Sequence, residues 1–193
     1  MLPEVLLEKY PRTVASKEGL RYQMRPLKPT DEKALHEFFL ATPHTERMFI
    51  KHRVTELSVI REWCEHIDYG RNLPLLATTA DQVMGVATLH QQLGGWRRHI
   101  GRISVIVHPQ FRARGIARTL VAELIEIARD FGLERLEAEF ISEQERAIKV
   151  FSLLGFGKLL FLSDYVKDMQ AIPHDYILMG MDLVTDEEYA GMG

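Results

Sequence analysis

Between His99 and Ile141 the chain runs through a strand, a basic turn with one glycine, a long amphipathic helix and a second strand; no other feature restricts the fold as much. "HIGRISVIV" is an apolar strand pattern that halts at Pro109, after which "FRARG" turns basic and reaches Gly115. Ile116, Leu120, Leu124, Ile127 and Phe131 then recur at helical spacing, and Gly132 is well placed as the residue after the C-cap. "RLEAEFI" alternates again as a strand. A helix with one apolar stripe buries it against a sheet, so helices layered on a sheet follow.

The rest of the chain continues the alternation. "RYQM" is a short strand ended by Pro26, and Thr30 is placed to cap a helix carrying Leu35, Phe38 and Phe39. Val59, Ile60, Trp63 and Ile67 share a face of a helix near 56–67. "LPLLATTADQVMGVATLHQQL" reads as two strands joined by a tight turn at Asp81-Gln82. Ser142 and Glu145 have the spacing of a capping box for a helix through Val150, Phe151 and Leu154, ending at Gly155. "GKLLFL", a loop with Pro173 and "YILMGMDL" close the pattern. The expected class is α+β (α/β layered), with a mixed, mostly antiparallel central sheet of about seven strands flanked by about four helices. Residues 1–20 are expected as an N-terminal extension, 21–184 as the domain and 185–193 as a tail.

Composition narrows the function classes. A chain of 193 residues with 46% hydrophobic and 26% charged residues has the make-up of one globular domain. The net charge of -3 speaks against general nucleic-acid affinity. The single cysteine, Cys64, excludes an internal disulfide and a cysteine-based metal cluster, and its helical spacing points to core packing. "MLPEVLLEKY" lacks a basic start and is interrupted by Glu4, Glu8 and Lys9, a poor signal peptide. No apolar run is long enough for a membrane span, so a cytoplasmic protein with no membrane partner is the expectation. Oligomeric state is not legible; a homodimer stays among the options.

The basic turn has a specific chemistry. The first turn of a helix presents unpaired N–H groups and the positive end of the dipole. Gly115 lets the backbone approach a ligand closely, and Arg112, Arg114 and Arg118 surround it with charge, which suits a phosphate or diphosphate. No Gly-Lys-Ser/Thr follows, which rules out a Walker loop, and the further glycines of a dinucleotide fingerprint are missing.

"RARGIA", Arg112 to Ala117, resembles the Arg/Gln-x-x-Gly-x-Gly/Ala signature of GNAT-type acyl-CoA N-acyltransferases, with "V-x-P-x-x-R" just before it. "AIKVFSLLGF" is similar to the family's second CoA-contacting helix, with Gln144 where asparagine is common and Phe151 where tyrosine is common. The resemblance covers about residues 20–184; "MRPLKPTDEKALHEFF" and "IDYGRNLPLLAT" look like the bacterial protein-lysine acetyltransferase type. It implies an acetyl-CoA cosubstrate and no metal. The diphosphate would sit on the backbone of Arg112, Ala113, Arg114, Gly115, Ile116, Ala117 and Arg118, with Gln144 and Phe151 near the cofactor. Counted from "RYQM", the fourth and fifth strands would splay, and the pantetheine would pair with the main chain around Val105, Ile106 and Val107. An N–H near Val107 would polarise the thioester carbonyl for direct attack by an amine, on a small molecule or on a protein lysine or N-terminus.

Two positions depart from that pattern. Phe151 cannot donate a proton to a thiolate, and Arg102 stands where the lysine acetyltransferases carry a glutamate base. The catalytic candidates are Glu139, on the fifth strand with Glu137, and Tyr165, expected in the loop after the sixth strand; His90 and His99 are further bases. Each has a plainer reading, as a solvated strand face, a packed aromatic or a surface histidine, and water is a sufficient acid for a thiolate. "WRRH", Trp96 to His99, has the look of an exposed hairpin loop, or of a site for an acidic group. The acceptor pocket would draw on "TPHTERMFIKHR" and "LSDYVKDMQAIPHD". Beside the transferase stand two alternatives: an acyl-CoA-binding regulatory or interaction module without catalysis, and an anion-binding module unrelated to CoA.

Overall fold

The computed structural model describes residues 8–16, 18–47, 50, 52–80 and 82–183. The expected tail at 185–193, Asp81 of the hairpin turn and part of "TPHTERMFIKHR" lie outside them. Among the described residues eight strands form one sheet in the order β1-β2-β3-β4-β5-β6-β8-β7. They are β1 Arg12–Ala15, β2 Arg21–Pro26, β3 Asn72–Thr78, β4 Val83–His90, β5 Ile100–Val107, β6 Arg135–Ile141, β7 Gly157–Lys167 and β8 Pro173–Asp182. The helices are α1 Glu32–Ala41, α2 His44–Arg47, α3 Leu57–Glu65, α4 Ile116–Asp130 and α5 Glu145–Leu153. The eighth strand, β1, arises inside the expected extension and pairs antiparallel with β2. The extra helix is the single turn α2, too short for a periodic pattern.

Every neighbouring pair is antiparallel except β5 with β6. One face of the sheet is covered by α1 and α3, which bury Leu35, Phe38, Phe39, Ile60 and Cys64 against Leu27, Leu76, Val83 and Val86. The other face is covered by α4 and α5, whose Leu120, Leu124, Ile127 and Phe151 pack on Leu75, Leu89, Ile103 and Leu136. The parallel pair closes tightly: a Cβ on Gly101 would stand 2.8 Å from Leu133 Cδ1 and 2.9 Å from Leu89 Cδ1.

Two helices end where their glycines predict. α4 stops in a Schellman motif, with Gly132 at φ 72, Leu133 N–H donating to Ala128 C=O (3.0 Å) and Gly132 N–H to Arg129 C=O (2.9 Å). α5 ends the same way at Gly155, and Phe156 then packs edge-on against Phe151. Two caps differ from expectation. Thr30 lies in a 3-10 turn, Pro29–Asp31, and the buried Asp31 organises the start of α1, accepting from Lys28 N–H (2.8 Å) and from Arg25 Nη1 (2.7 Å) and Nη2 (2.8 Å). The Ser142 capping box does not form: Gln144 is the N-cap of α5 and Ser142 Oγ donates to Glu143. At the first site the Asp31 carboxylate is committed to Lys28 N–H and to the Arg25 guanidinium, a charge-assisted pair, and at the second the Gln144 amide accepts Ile141 N–H at 3.0 Å.

Candidate active site

The parallel pairing of β5 and β6 lasts three rungs, Ile100↔Arg135, Gly101↔Leu136 and Arg102↔Glu137. Beyond Arg102, β5 stays with β4 as far as Val107↔Gly85, while β6 stays with β8 as far as Ile141↔Tyr176. A wedge therefore opens between Ile103–Val107 and Ala138–Ile141. His108 N–H donates to Met84 C=O at 2.8 Å on the β4 side. By the alternation of a strand, Ile106 and Ser104 also address β4 with their backbone, whereas Ile103, Val105 and Val107 address the wedge. Val105 and Val107 thus present a strand edge to the wedge.

The open end of the wedge leads to the basic turn. After a 3-10 turn at Pro109–Phe111, Ala113 and Gly115 take positive φ values of 63 and 80, and α4 begins at Ile116 without a side-chain cap. The leading N–H groups of α4, on Ile116, Ala117 and Arg118, are thus left to solvent or to a guest. A Cβ on Gly115 would meet no atom within 4 Å, so the space before the helix is open. The three arginines divide their work. Arg112 is held by Glu46 on α2 (Nη2–Oε2 2.8 Å) and donates to Val107 C=O (3.2 Å), so it braces the turn rather than presenting a free charge. Arg114 lies 5.8 Å over the Phe111 ring and 3.8 Å from Glu18, and Arg118 is exposed. The site offers an anion a helix N-terminus, two backbone turns of positive φ and the cations of Arg114 and Arg118.

The face of the sheet that carries α1 and α3 is polar beside the wedge. Glu139 is clamped between Arg102 (Nη1–Oε2 2.9 Å) and Tyr176, whose hydroxyl donates to Oε1 at 2.9 Å. Burial first, and then that bond, push the Tyr176 phenol up to about 12. Glu137 is buried and accepts from Arg97 Nη2 at 2.5 Å, which ties the "WRRH" loop to β6 and leaves Trp96 exposed. On the other side of the wedge, His90 Nδ1 lies 2.7 Å from Asn72 Oδ1 and its Nε2 lies 3.2 Å from Ser104 Oγ. Sequence reasoning named His90 and missed Asn72, Ser104 and Tyr176. The one signal was Ser104 itself, a lone hydroxyl in the apolar run "ISVIV".

Other candidates sit elsewhere. Tyr165 belongs to β7 rather than to a loop; it is 65% exposed, packs 5.7 Å from Tyr176 and is separated from the wedge by β8. The strand outlasts its apolar run because β7 continues through an irregular register into the hairpin with β8. Phe151 is 0% exposed between Phe140 and Phe156, at 5.0 and 4.9 Å, which makes it core and removes it from contact with a cofactor in this conformation. Gln144 is half-buried and accepts Ile141 N–H at 3.0 Å. His99 precedes β5 at the closed end, where its carbonyl accepts from Glu134 N–H (3.0 Å) and Arg135 N–H (3.2 Å). Cys64 is buried, and its thiol is pushed up to about 11 by that burial. Among the described residues no group of three His, Cys, Asp or Glu is arranged to hold a metal ion. No helix among them is long and apolar enough to cross a membrane.

A model of the acetyltransferase (GNAT) family matches residues 33–156, which contain the wedge, the basic turn and both helices behind it. The chain belongs to the GNAT family. Among curated proteins it is similar to the L-amino acid N-acyltransferase MnaT of Escherichia coli (strain K12), 35% identical over 77 residues, covering 37% of this chain and 45% of that protein. The chain thus spans about half the length of the curated relatives it matches. Among solved structures, the ribosomal-protein-S5-alanine acetyltransferase of Vibrio fischeri superposes with a TM-score of 0.74 at 19% identity, covering 88% of this chain and 97% of that one. The protein yncA of Salmonella typhimurium, solved with its cofactor acetyl-CoA, superposes with a TM-score of 0.69 at 21% identity, covering 85% of this chain and 95% of that one. These GNAT structures share the fold of this chain, and the splayed pair expected as the fourth and fifth strands is β5 and β6.

Proposed function

We propose that this GNAT protein is an N-acetyltransferase that moves an acetyl group from acetyl-CoA to a primary amine by direct attack. The observation that carries the reading is the continuity of the wedge with the uncapped start of α4. One strand edge and one helix N-terminus then serve a single elongated ligand with an anionic end. The diphosphate would rest on the N–H groups of residues 113–118 beside Arg114 and Arg118, and the pantetheine along Val105 and Val107. The thioester carbonyl would lie near the Val107 N–H, and the amine would approach from the polar face of Ser104 and Glu139. The similarity to an L-amino acid N-acyltransferase supports a small amine as acceptor. Glu139 and Tyr165 are poorly placed for proton transfer: Glu139 is paired with Arg102, and Tyr165 stands beyond β8 from the wedge. Proton delivery to the thiolate is therefore assigned to solvent, since free thiols titrate near about 8.5. The reading includes a cytoplasmic location and a homodimer, the latter tested by sedimentation.

Free-thiol release from acetyl-CoA with L-methionine, L-lysine, spermidine and an N-terminal alanine peptide is the direct test. Turnover with at least one amine supports the transferase. A second reading, an acyl-CoA-binding module without catalysis, is favoured by the occupied state of Glu139 and the burial of Phe151. It would show calorimetric acetyl-CoA binding with thiol release at background for every amine. Equal affinity for ADP and CoA would instead favour the plain anion-binding module.

A further inference from the structure

We propose that Ser104, His90 and Asn72 form the proton relay for the amine, with His90 receiving the proton through the Ser104 hydroxyl. The proposal rests on the reading of the wedge as an acetyl-transfer site.

The three residues lie side by side on adjacent strands. Asn72 begins β3 and pairs with His90 at the end of β4; Ser104, on β5, sits two rungs along, opposite Thr88 and on the same face as His90. Asn72 Oδ1 has no proton to give, so at 2.7 Å it fixes the imidazole proton on Nδ1. In the neutral ring the Nε2 lone pair is then turned to Ser104 Oγ, 3.2 Å away. Ser104 is exposed and lies two residues past Arg102, the last rung shared with β6. Its hydroxyl therefore stands at the rim of the wedge, next to Val105, whose backbone addresses the wedge itself. The charged groups facing this pair are Arg102, directly across from His90 on β5, and Glu139, which pairs with Arg102 from β6. Arg71 adjoins from the β3 side, where its carbonyl accepts Gln91 N–H at 2.8 Å.

The chemistry balances without a further reactant. The amine nitrogen bonds to the acetyl carbon and acquires a formal positive charge. One N–H proton passes to Ser104 Oγ as the Ser104 proton passes to His90 Nε2. The C–S bond breaks, CoA leaves as thiolate and takes a proton from water, and His90 returns its proton to solvent. Ser104 makes no bond to carbon at any point.

The test compares wild type with Ser104→Ala, His90→Gln and Asn72→Leu, using L-methionine or the best amine of the same panel and recording kcat/KM from pH 5.5 to 9.5. Ser104→Ala and His90→Gln are expected to lose about 10²-fold at pH 7 and to have the acid limb of the profile moved to higher pH, where it follows the amine alone. Both should recover to within about tenfold at pH 9.5, where the amine sheds its proton unaided, with acetyl-CoA binding unchanged throughout. Asn72→Leu should lose about tenfold and displace the limb, because the tautomer is no longer fixed. Wild-type profiles for both Ser104→Ala and His90→Gln would overturn the relay and leave the transferase standing. An acetyl adduct on Ser104 in intact-mass spectra would also overturn it, by making the hydroxyl a nucleophile. Wild type inactive with every amine while binding acetyl-CoA would bring down the function itself and the relay with it.

Discussion

Arg102 on β5 reaches Glu139 on β6 at 2.9 Å, diagonally across the last rung at which their strands pair. The contact fixes the apex of the wedge and spends the Glu139 carboxylate on a guanidinium. Glu139→Gln keeps an acceptor for Tyr176 and loses the ion pair. Both partners are about one-third exposed (35% and 30%), so solvent screening limits the expected loss to about 1 kcal/mol in chemical denaturation. Acetyl transfer should stay within about fivefold of wild type, well short of the loss of a general base.

Gly115 is the position where the proposed diphosphate would come closest to the backbone. Its φ of 80 lies in the left-handed region, and no atom stands within 4 Å of a Cβ there. Gly115→Val should cost about 1–3 kcal/mol of backbone strain. By filling the space before α4 it should also weaken CoA binding at least about tenfold in calorimetry.

Phe151 tests whether the tyrosine common in relatives can be restored. The ring is fully buried and meets Phe140 and Phe156 at near-perpendicular angles of 68° and 74°. Phe151→Tyr buries a hydroxyl among aromatic rings and should destabilise the fold by about 1–3 kcal/mol. No gain in kcat is expected. A stable, faster variant would mean that this side chain reaches the sulfur.

Tyr176 gives stability a high-pH limit. Its folded-state phenol titrates near about 12 against an ordinary 10.0, so the protonated form is the one that the fold favours. Its contribution is complete below the ordinary value and is lost as pH rises from about 10 through about 12. Denaturation midpoints measured across that window should fall more steeply in wild type than in Tyr176→Phe.

The β7–β8 hairpin carries a second pH dependence. His174 is raised above 6.5 by its bonds to Glu143 (2.9 Å) and Asp168 (3.2 Å). It stabilises the fold below 6.5 and loses that effect as pH climbs through its folded-state value. Glu143 is lowered from 4.5, chiefly by His174. Asp168 is lowered from 3.8: burial alone would raise it, but the N–H groups of Ile172 and Gln170 and the imidazole prevail. The carboxylate contribution is present above those ordinary values and is lost as pH falls. Thermal unfolding should therefore peak between about 4.5 and 6.5 in this respect, and His174→Gln should flatten the upper limb.

The fold was legible wherever a signal was local and periodic. Leu120, Leu124 and Ile127 announce α4, and Gly132 marks its end, because a 3.6-residue stripe and a left-handed stop are properties of contiguous residues. The basic turn was legible for the same reason. The polar face was not. Asn72, His90 and Ser104 are drawn together by strand order and register, and Glu139 finds Arg102 across a gap that sequence spacing does not encode. β1 was missed because four residues with mostly exposed side chains carry little pattern. Thr30 and Ser142 do not cap because their neighbours take other places: Asp31 binds Lys28 N–H and Arg25 from β2, and Gln144, the N-cap of α5, accepts Ile141 N–H at the end of β6.

Three rungs and one glycine fasten the left half of the sheet to the right. With Leu133, Leu89 and Leu136 pressed to within 3.0 Å of where a Gly101 side chain would begin, that seam has no slack. The two halves behave as plates riveted at a single end. Any guest that spreads the far end applies its leverage at Gly101, so the bore of the cleft is set upstream of the basic turn, at the closed end of β5.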